Sequence, residues 1–428
     1  MTSARASVLR HRDFRLLYTG QTVSVVGDGI FWIAMAFAVL EITGSKAAIG
    51  IVLAAGSVPL LVFLLIGGVI ADRFPRKTIM LATDVVRFAT QLAIAAILIT
   101  GVAEVWHLAA LNAVYGSALA FFQPAYPGLV QQIMPSEQLT QANGLWGSTR
   151  STALVAGSAI GGFLVDWTGA GTAIALDAST FAVSAMCLAL LRPAPAQPAE
   201  RSSFTDELRE GWREVRSHRW VWQMLIVGFL YLLLFVGPLD VVGPIVSKEL
   251  FGGALAWGLI SGTYFGGMIL GGLIAMRDRL RRPSPIGGAL VLAGALGPFL
   301  AALGAPLPVV LVGFLIGGVG IGISATTWTT GLQRGIAADK ISRVSAWDYL
   351  VSFAGMPIAL AATGPVVQQI GSKATLTIMG IGVVVTQLFV LASPDIRAIG
   401  AKPALPADPV NVLDAESKLT RASAEEPV

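Results

Sequence analysis

Along the chain, long blocks of apolar residues alternate with short polar loops rich in arginine. A helix that crosses a bilayer needs about 20 mostly apolar residues, because in lipid every backbone polar group must be bonded within the helix. Twelve blocks meet that requirement: 14–40, 50–71, 78–100, 106–130, 139–165, 170–191, 221–246, 255–275, 285–303, 307–331, 344–367 and 374–392. The first follows Arg5, Arg10, Arg12 and Arg15, as in a signal peptide. Its apolar run far exceeds the roughly 7–15 residues of a signal-peptide core, so it reads as a retained first span. The pattern therefore predicts an all-α integral membrane protein of twelve transmembrane helices.

The loops orient these spans. Lysine and arginine crowd into every second loop, while the alternate loops hold only Lys46, Lys248 and Lys373. The positive-inside rule then places both termini in the cytoplasm, and the regular alternation supports the span count. Between spans six and seven lies the longest internal polar stretch, opening with Pro193, Pro195 and Pro198. Within it Phe204, Leu208, Trp212 and Val215 recur at helical spacing among charges, which predicts an amphipathic helix on the inner membrane surface. The organisation expected is a six-helix bundle over 1–192, a cytoplasmic linker over 193–219, a second bundle over 220–393 and a disordered tail over 394–428.

Composition narrows the function classes. Of 428 residues 55% are apolar and only 13% charged, and the mean hydropathy is +0.73. These values exclude a coiled coil, a disordered chain and an ordinary water-soluble enzyme. A net charge of +4 could indicate nucleic acid, but the basic residues follow the topology and form no soluble patch. The single cysteine, Cys187, permits no internal disulfide. His11, His107 and His218 are scattered, with no metal-ligand spacing and no nucleophile and base arrangement, so no catalytic residue, metal or cofactor is expected. No phosphate-binding loop occurs, and Gly318, Gly320 and Gly322 lie inside span ten, where close helix packing explains them.

The two halves repeat. At a shift of 202, Glu137-Gln138-Leu139-Thr140 lies over Asp339-Lys340-Ile341-Ser342, and Gly162, Val165 and Gly169 fall on Gly364, Val367 and Gly371. At a shift of 204, Gly67-Gly68-Val69-Ile70-Ala71 falls on Gly271-Gly272-Leu273-Ile274-Ala275. Parallel six-span halves place a ligand site near the midplane where they meet and rock about it, which points to transport.

Between spans two and three, Gly68, Asp72, Arg73, Arg76 and Lys77 stand in a pattern that resembles the signature of the major facilitator superfamily. The resemblance implies a conformational latch on the inner face, built on these residues with Asp84, Arg87 and Asp348. A positive-inside turn with a helix cap would also account for the loop. The corresponding loop of the second half has Met276 in place of Asp72 and is degenerate. Gly157, Gly161 and Gly162 in span five are similar to the superfamily's antiporter motif, with Ser158 where its proline stands. Asn112 and Gly116 occupy the place where many drug and proton antiporters carry an arginine and a glycine, so coupling must use other groups. The opening Phe14-Arg15-Leu16-Leu17, Gly27-Asp28-Gly29 and Phe122-Gln123-Pro124-Ala125 look like the drug and siderophore exporter branch, of the enterobactin-exporter and macrolide-efflux type.

Ionisable groups inside a bilayer are costly and mark functional candidates. Asp28 lies thirteen residues past Arg15, about 20 Å along a helix and near mid-membrane. Arg150 in span five, also near mid-depth, is its first candidate partner, and a proton on Asp28 would break that pair. Asp84 and Arg87 are three apart on one helical face and are expected to neutralise each other beside the inner loop. Asp177 reads as structural. Asp240, bracketed by Pro238 and Pro244, is placed to meet a substrate cation or gate the outer side. The resemblance implies a cavity lined by spans one, four, seven and ten, hence by Trp32, Asn112, Tyr115, Tyr231 and Trp328. The expectation is a monomeric, proton-coupled exporter of hydrophobic or amphipathic small molecules in a bacterial cytoplasmic membrane. Its partners would be that substrate, protons and lipid, and not nucleic acid. Metabolite uptake and a nontransporting sensor are the alternatives.

Overall fold

The computed structural model describes residues 8–193, 204–276, 280, 282–337 and 340–400, and the regular structure among them is entirely helical. The first half runs α1 (Arg12–Thr43), α2 (Lys46–Arg73), α3 (Arg76–Ile99), α4 (Val105–Ile133), α5 (Leu139–Thr168) and α6 (Ala170–Ala189). After a shorter helix, α7 (Phe204–Ser217), the seventh crossing comprises α8 (Arg219–Tyr231), a π turn over Leu232–Val236 and α9 (Gly237–Leu250). The eighth is α10 (Ala254–Met276), and the ninth is divided into α11 (Pro283–Gly294) and α12 (Leu296–Ala302). Then come α13 (Leu307–Gly335), α14 (Ile341–Ile370), α15 (Ser372–Ala392) and a single turn, α16 (Pro394–Arg397).

Eleven of the twelve crossings are long and apolar enough for a bilayer. The twelfth, α5, has the length at 30 residues but a more polar first half, from Thr140 through Gln141, Asn143, Ser148 and Arg150 to Thr152. Hydroxyls there bond carbonyls of the preceding turn, Ser148 to Gly144 and Thr152 to Ser148, and so cover part of that polarity internally.

The internal repeat is visible in backbone conformation. Gly169 and Gly371, 202 positions apart, join α5 to α6 and α14 to α15 with φ of 85° and 83°. Gly101 and Gly304 close the third and ninth crossings with φ of 74° and 75°. Side chains with a Cβ rarely hold that conformation, so glycine terminates both pairs. Proline sets the breaks. Pro238 lacks an N–H for the preceding turn, and the π turn at Leu232–Val236 directly precedes it.

The halves meet at the face away from the chain termini. There Gly50 and Gly364 allow α2 and α14 to cross closely, and Gly162 and Gly258 do the same for α5 and α10. Lys46 and Glu249 pair at 2.6 Å across the same face. Towards the terminal face the halves part: Gly144 and Gly147 of α5 have no neighbour within 4 Å, and Arg150 is exposed. A cleft therefore opens to the terminal face. The half of α1 away from the termini is enclosed on nearly all sides, with Ile30, Phe31 and every residue from Ile33 to Leu40 buried.

The helix expected in the linker forms as α7, and it packs against the start of α14, with Trp212 4.9 Å from Trp347, Glu210 paired with Arg343 and Glu214 with Lys340. Val215 is fully buried there. One expectation for the polar segments changes. The tail is not disordered from its first residue: Ile396 of α16 and Ile399 pack against Val227 and Val390. Residues 401–428 lie outside the described residues, as do 194–203 of the linker and the N-terminal residues 1–7.

Candidate functional site

A stripe of polar residues on α3, Asp84, Arg87 and Gln91, faces a matching stripe on α6, Asp177, Thr180 and Ser184, and all six are buried. Spacings of three and four put each set on one helical face, so two otherwise apolar helices pack polar side to polar side. Arg87 is the hub. Its Nη2 donates to Asp28 Oδ1 on α1 at 2.6 Å and to Tyr115 Oη on α4 at 3.1 Å, while Nη1 reaches Asp84 Oδ1 at 3.4 Å. Tyr115 in turn donates to the same Asp28 oxygen at 2.7 Å. Ser184 donates to Asp84 Oδ2 at 2.6 Å, and Gln21 donates to Ser184 at 2.8 Å. The guanidinium stacks 4.0 Å from the Phe181 ring centre, with Tyr115 and Phe122 at 5.1 and 5.4 Å. Such rings favour a cation where water is absent.

Asp177 joins the cluster from the side. It packs with Thr180 against the bare Cα of Gly27, where a Cβ would collide with both, and its Oδ2 has no hydrogen-bond partner among the described residues. Three carboxyl groups thus surround one guanidinium. The side chains of Arg87 and Asp84 are 2% and 0% exposed, whereas Asp28 is 20% exposed. Asp28 is the acid of this network that reaches open space. Trp32, one turn further along α1 and 40% exposed, shares its face.

The partner expected for Asp28 is therefore corrected: it is Arg87, not Arg150. Thr149 bonds Tyr18 at 2.6 Å and Gly157 packs on Gly29, which fixes the register of α5 against α1. Arg150 then stands level with about residue 19, roughly 14 Å short of Asp28 at 1.5 Å per residue. It is exposed and lies within electrostatic reach of Tyr126 in its own half and Tyr349 in the other. Asp84 and Arg87 do pair, but within this network and not as a closed couple beside the loop. Asn112 does not face the cavity: it is 1% exposed and donates to the Val52 carbonyl at 2.7 Å, which ties α4 to α2. Tyr115 is likewise buried, its hydroxyl committed to Asp28 and Arg87.

In the second half Asp348 faces the interior of its own bundle. It accepts from Trp328 Nε1 at 2.9 Å and Ser352 at 3.4 Å, and with both it lines a cavity of about 250 Å³ inside that half. Tyr231 lines the same cavity and bonds Tyr264 at 3.0 Å. Asp240 lies on α9 within electrostatic reach of Tyr264.

A family model described as Major Facilitator Superfamily matches residues 17–360. The chain belongs to that superfamily. Its long apolar helices mark a multi-pass membrane protein. Macrolide efflux protein A of Streptococcus pyogenes is 26% identical over 265 residues, which cover 61% of this chain and 65% of that protein. The chain thus spans somewhat under two thirds of that relative's length. The multidrug efflux pump Tap of Mycobacterium tuberculosis is 24% identical over 403 residues, covering 91% and 95%. A crystal structure of a bacterial homologue of the human lysosomal transporter Spinster, inward-facing and unoccupied, superposes with a TM-score of 0.69 at 13% identity, covering 93% of this chain and 99% of that one.

The superfamily motifs have concrete contacts here. Arg76 donates to the Gly128 carbonyl at 2.9 Å, and Lys77 donates to those of Ala189 and Leu191, both at 2.8 Å. Positive side chains thus cap the carbonyl-rich end of α6 and strap α3 to α4. Gly68 has open space around it and Arg73 is exposed at the end of α2, while the Asp72 side chain lies outside the described residues. In the antiporter-like motif Gly157 and Gly161 press α5 onto α1, and Gly162 presses it onto α10. One stretch of small residues therefore serves both the interior of the first half and the contact between halves. Sequence reasoning missed Asp177 and Gln91 as neighbours of Arg87. The signal was present in two polar stripes of matching period, on spans three and six.

Proposed function

We propose that the chain is a proton-coupled exporter of hydrophobic or amphipathic small molecules, drug-like or siderophore-like, that works as a monomer in a bacterial cytoplasmic membrane. Both termini lie in the cytoplasm in this reading, in keeping with the basic loops, so the cleft opens inward. The efflux names of relatives along most of the chain support the direction. The observation that carries the proposal is the placement of Asp28: bound to Arg87 and Tyr115, yet 20% exposed where the other acids of the network are buried, and one helical turn from the exposed Trp32.

Ionised, Asp28 ties α1 to α3 and α4 through one shared oxygen. A proton on that carboxylate removes its charge, and Arg87 keeps Asp84, so the half stays assembled while α1 is released. Because α1 also packs on α5 through Gly29 and Gly157, its release reaches the helix that closes against α10. A cationic or polarised substrate beside Asp28 favours the ionised form and competes with the proton, which couples the two by linkage.

The test is substrate-evoked proton flux in liposomes under an imposed proton gradient, with macrolides, cationic dyes and siderophores as candidates and Asp28→Asn alongside. We expect flux with at least one of these and its loss in the variant. Equal flux in both removes Asp28 from the mechanism, and an absence of flux with every candidate overturns proton-coupled export.

A further inference from the structure

The cavity of the second half exists because the repeat is unequal. In the first half the corresponding interior is filled by Arg87 and by the rings of Tyr115, Phe122 and Phe181 around it. At the repeat shift of 202 those three aromatics become Gly317, Ser324 and Val383. The helix pair that corresponds to α3, Pro283–Ala302, contains no lysine, arginine, aspartate or glutamate at all. The polar neighbours survive in part, with Gln21 and Ser184 matched by Gln223 and Thr386. What is lost is a cation and the rings that held it.

The space left is lined by Met224, Tyr231, Val291, Trp328, Asp348 and Gln387 among others, and Ile399 of the C-terminal segment contributes to its wall. Among the described lining residues Asp348 alone carries a charge. Its contacts, the Trp328 indole and the Ser352 hydroxyl, are neutral donors. A carboxylate in a largely apolar pocket calls for a counter-charge, and among the described residues its side-chain partners are these two neutral donors. The Trp328 and Tyr231 faces would hold a cation as Phe181 and Tyr115 hold the guanidinium.

We propose that this cavity is a binding site for a compact organic monocation, one aromatic ring bearing a quaternary or protonated amine, with its charge on Asp348 and its ring against Trp328 and Tyr231. At about 250 Å³ the cavity falls just under the roughly 300–1,000 Å³ of typical ligand sites, which favours a small ring system over a macrocycle. The site lies within one half and is distinct from the Asp28 network, so the inference stands without the coupling mechanism above.

The test is equilibrium binding of radiolabelled benzyltrimethylammonium to the purified full chain in lipid nanodiscs with no ion gradient. Its neutral isostere, neopentylbenzene, serves as competitor. We expect one saturable site, competition by the isostere at least tenfold weaker, a loss of tenfold or more in Asp348→Asn, and no binding in Val291→Phe, which fills the cavity. Thermal melting confirms that each variant is folded, and the competition experiment stands on the unmodified chain if one is not. Equal affinity for cation and isostere, an absence of saturable binding, or binding that survives both substitutions but disappears in Asp28→Asn would each overturn the proposal.

Discussion

With Phe181, Tyr115 and Phe122 around it and its side chain 2% exposed, the Arg87 guanidinium has no water to replace a lost partner. The carboxylates depend on it in the same way. Removing one member of such a buried pair costs about 3–5 kcal/mol, since the other charge is stranded. Arg87→Met is therefore expected to lower the thermal unfolding temperature in detergent much more than Asp28→Asn, whose amide still accepts from Tyr115. Arg87→Lys should fall between them: an ammonium keeps the charge but lacks the fork that serves Asp28, Asp84 and Tyr115 together. Equal melting of Arg87→Met and the unmodified chain would refute this account. Asp28 itself was legible from its depth and its flanking glycines. Its partner was not, because depth along a helix says nothing of rotation or register, and the Thr149 bond to Tyr18 is a contact between helices that sequence spacing does not carry.

At the scale of helices, all twelve crossings were legible as apolar blocks, and α5 is the one whose hydropathy is weakest. The polarity of α5 belongs to its cleft-lining half, so the feature that weakens its hydropathy is its position beside the pathway. Chain ends were less legible. Beyond Ser393 the sequence reads as a polar, proline-containing tail, yet Ser393 caps the turn Pro394–Arg397 and its hydroxyl donates to Gln223 at 2.9 Å. The Ser284 hydroxyl donates to the Ile396 carbonyl at 2.8 Å, and Ile396 has no exposed surface. Two buried isoleucines three apart in seven residues give little periodicity to detect. The docking of Ile396 makes α16 part of the second half, so Ile396→Ala should destabilise the protein by about 2–5 kcal/mol, the range for truncating a buried isoleucine. Unchanged melting of that variant would show the turn to be a loose appendage.

For the molecule as a whole, the state seen here is held by the contacts that close the face away from the termini, and these differ in strength. Lys46 and Glu249 are 31% and 41% exposed, so their pair contributes about 0–1 kcal/mol. Asp166 makes a more directed contact. From the end of α5 its two carboxylate oxygens accept from the Ala254 and Leu255 backbone amides at 2.9 and 2.8 Å, so one half caps the first turn of a helix in the other. An acidic side chain there satisfies two otherwise free N–H groups and opposes the positive end of the helix dipole. The cap can form only while that face is closed, and its energy therefore counts toward one conformation and not the other. Replacing a capping aspartate by alanine typically costs about 1 kcal/mol, and an energy of that size changes a two-state ratio roughly fivefold. Asp166→Ala is accordingly expected to move the population toward the state open on that face. Spin-label distances between the ends of α5 and α10 would read the change. Lys46→Gln should move it less, because its partner remains hydrated. If Lys46→Gln produced the larger shift, or Asp166→Ala none, the closure would rest on the glycine crossings and the exposed pair, and the cap would have no part in setting the balance between states.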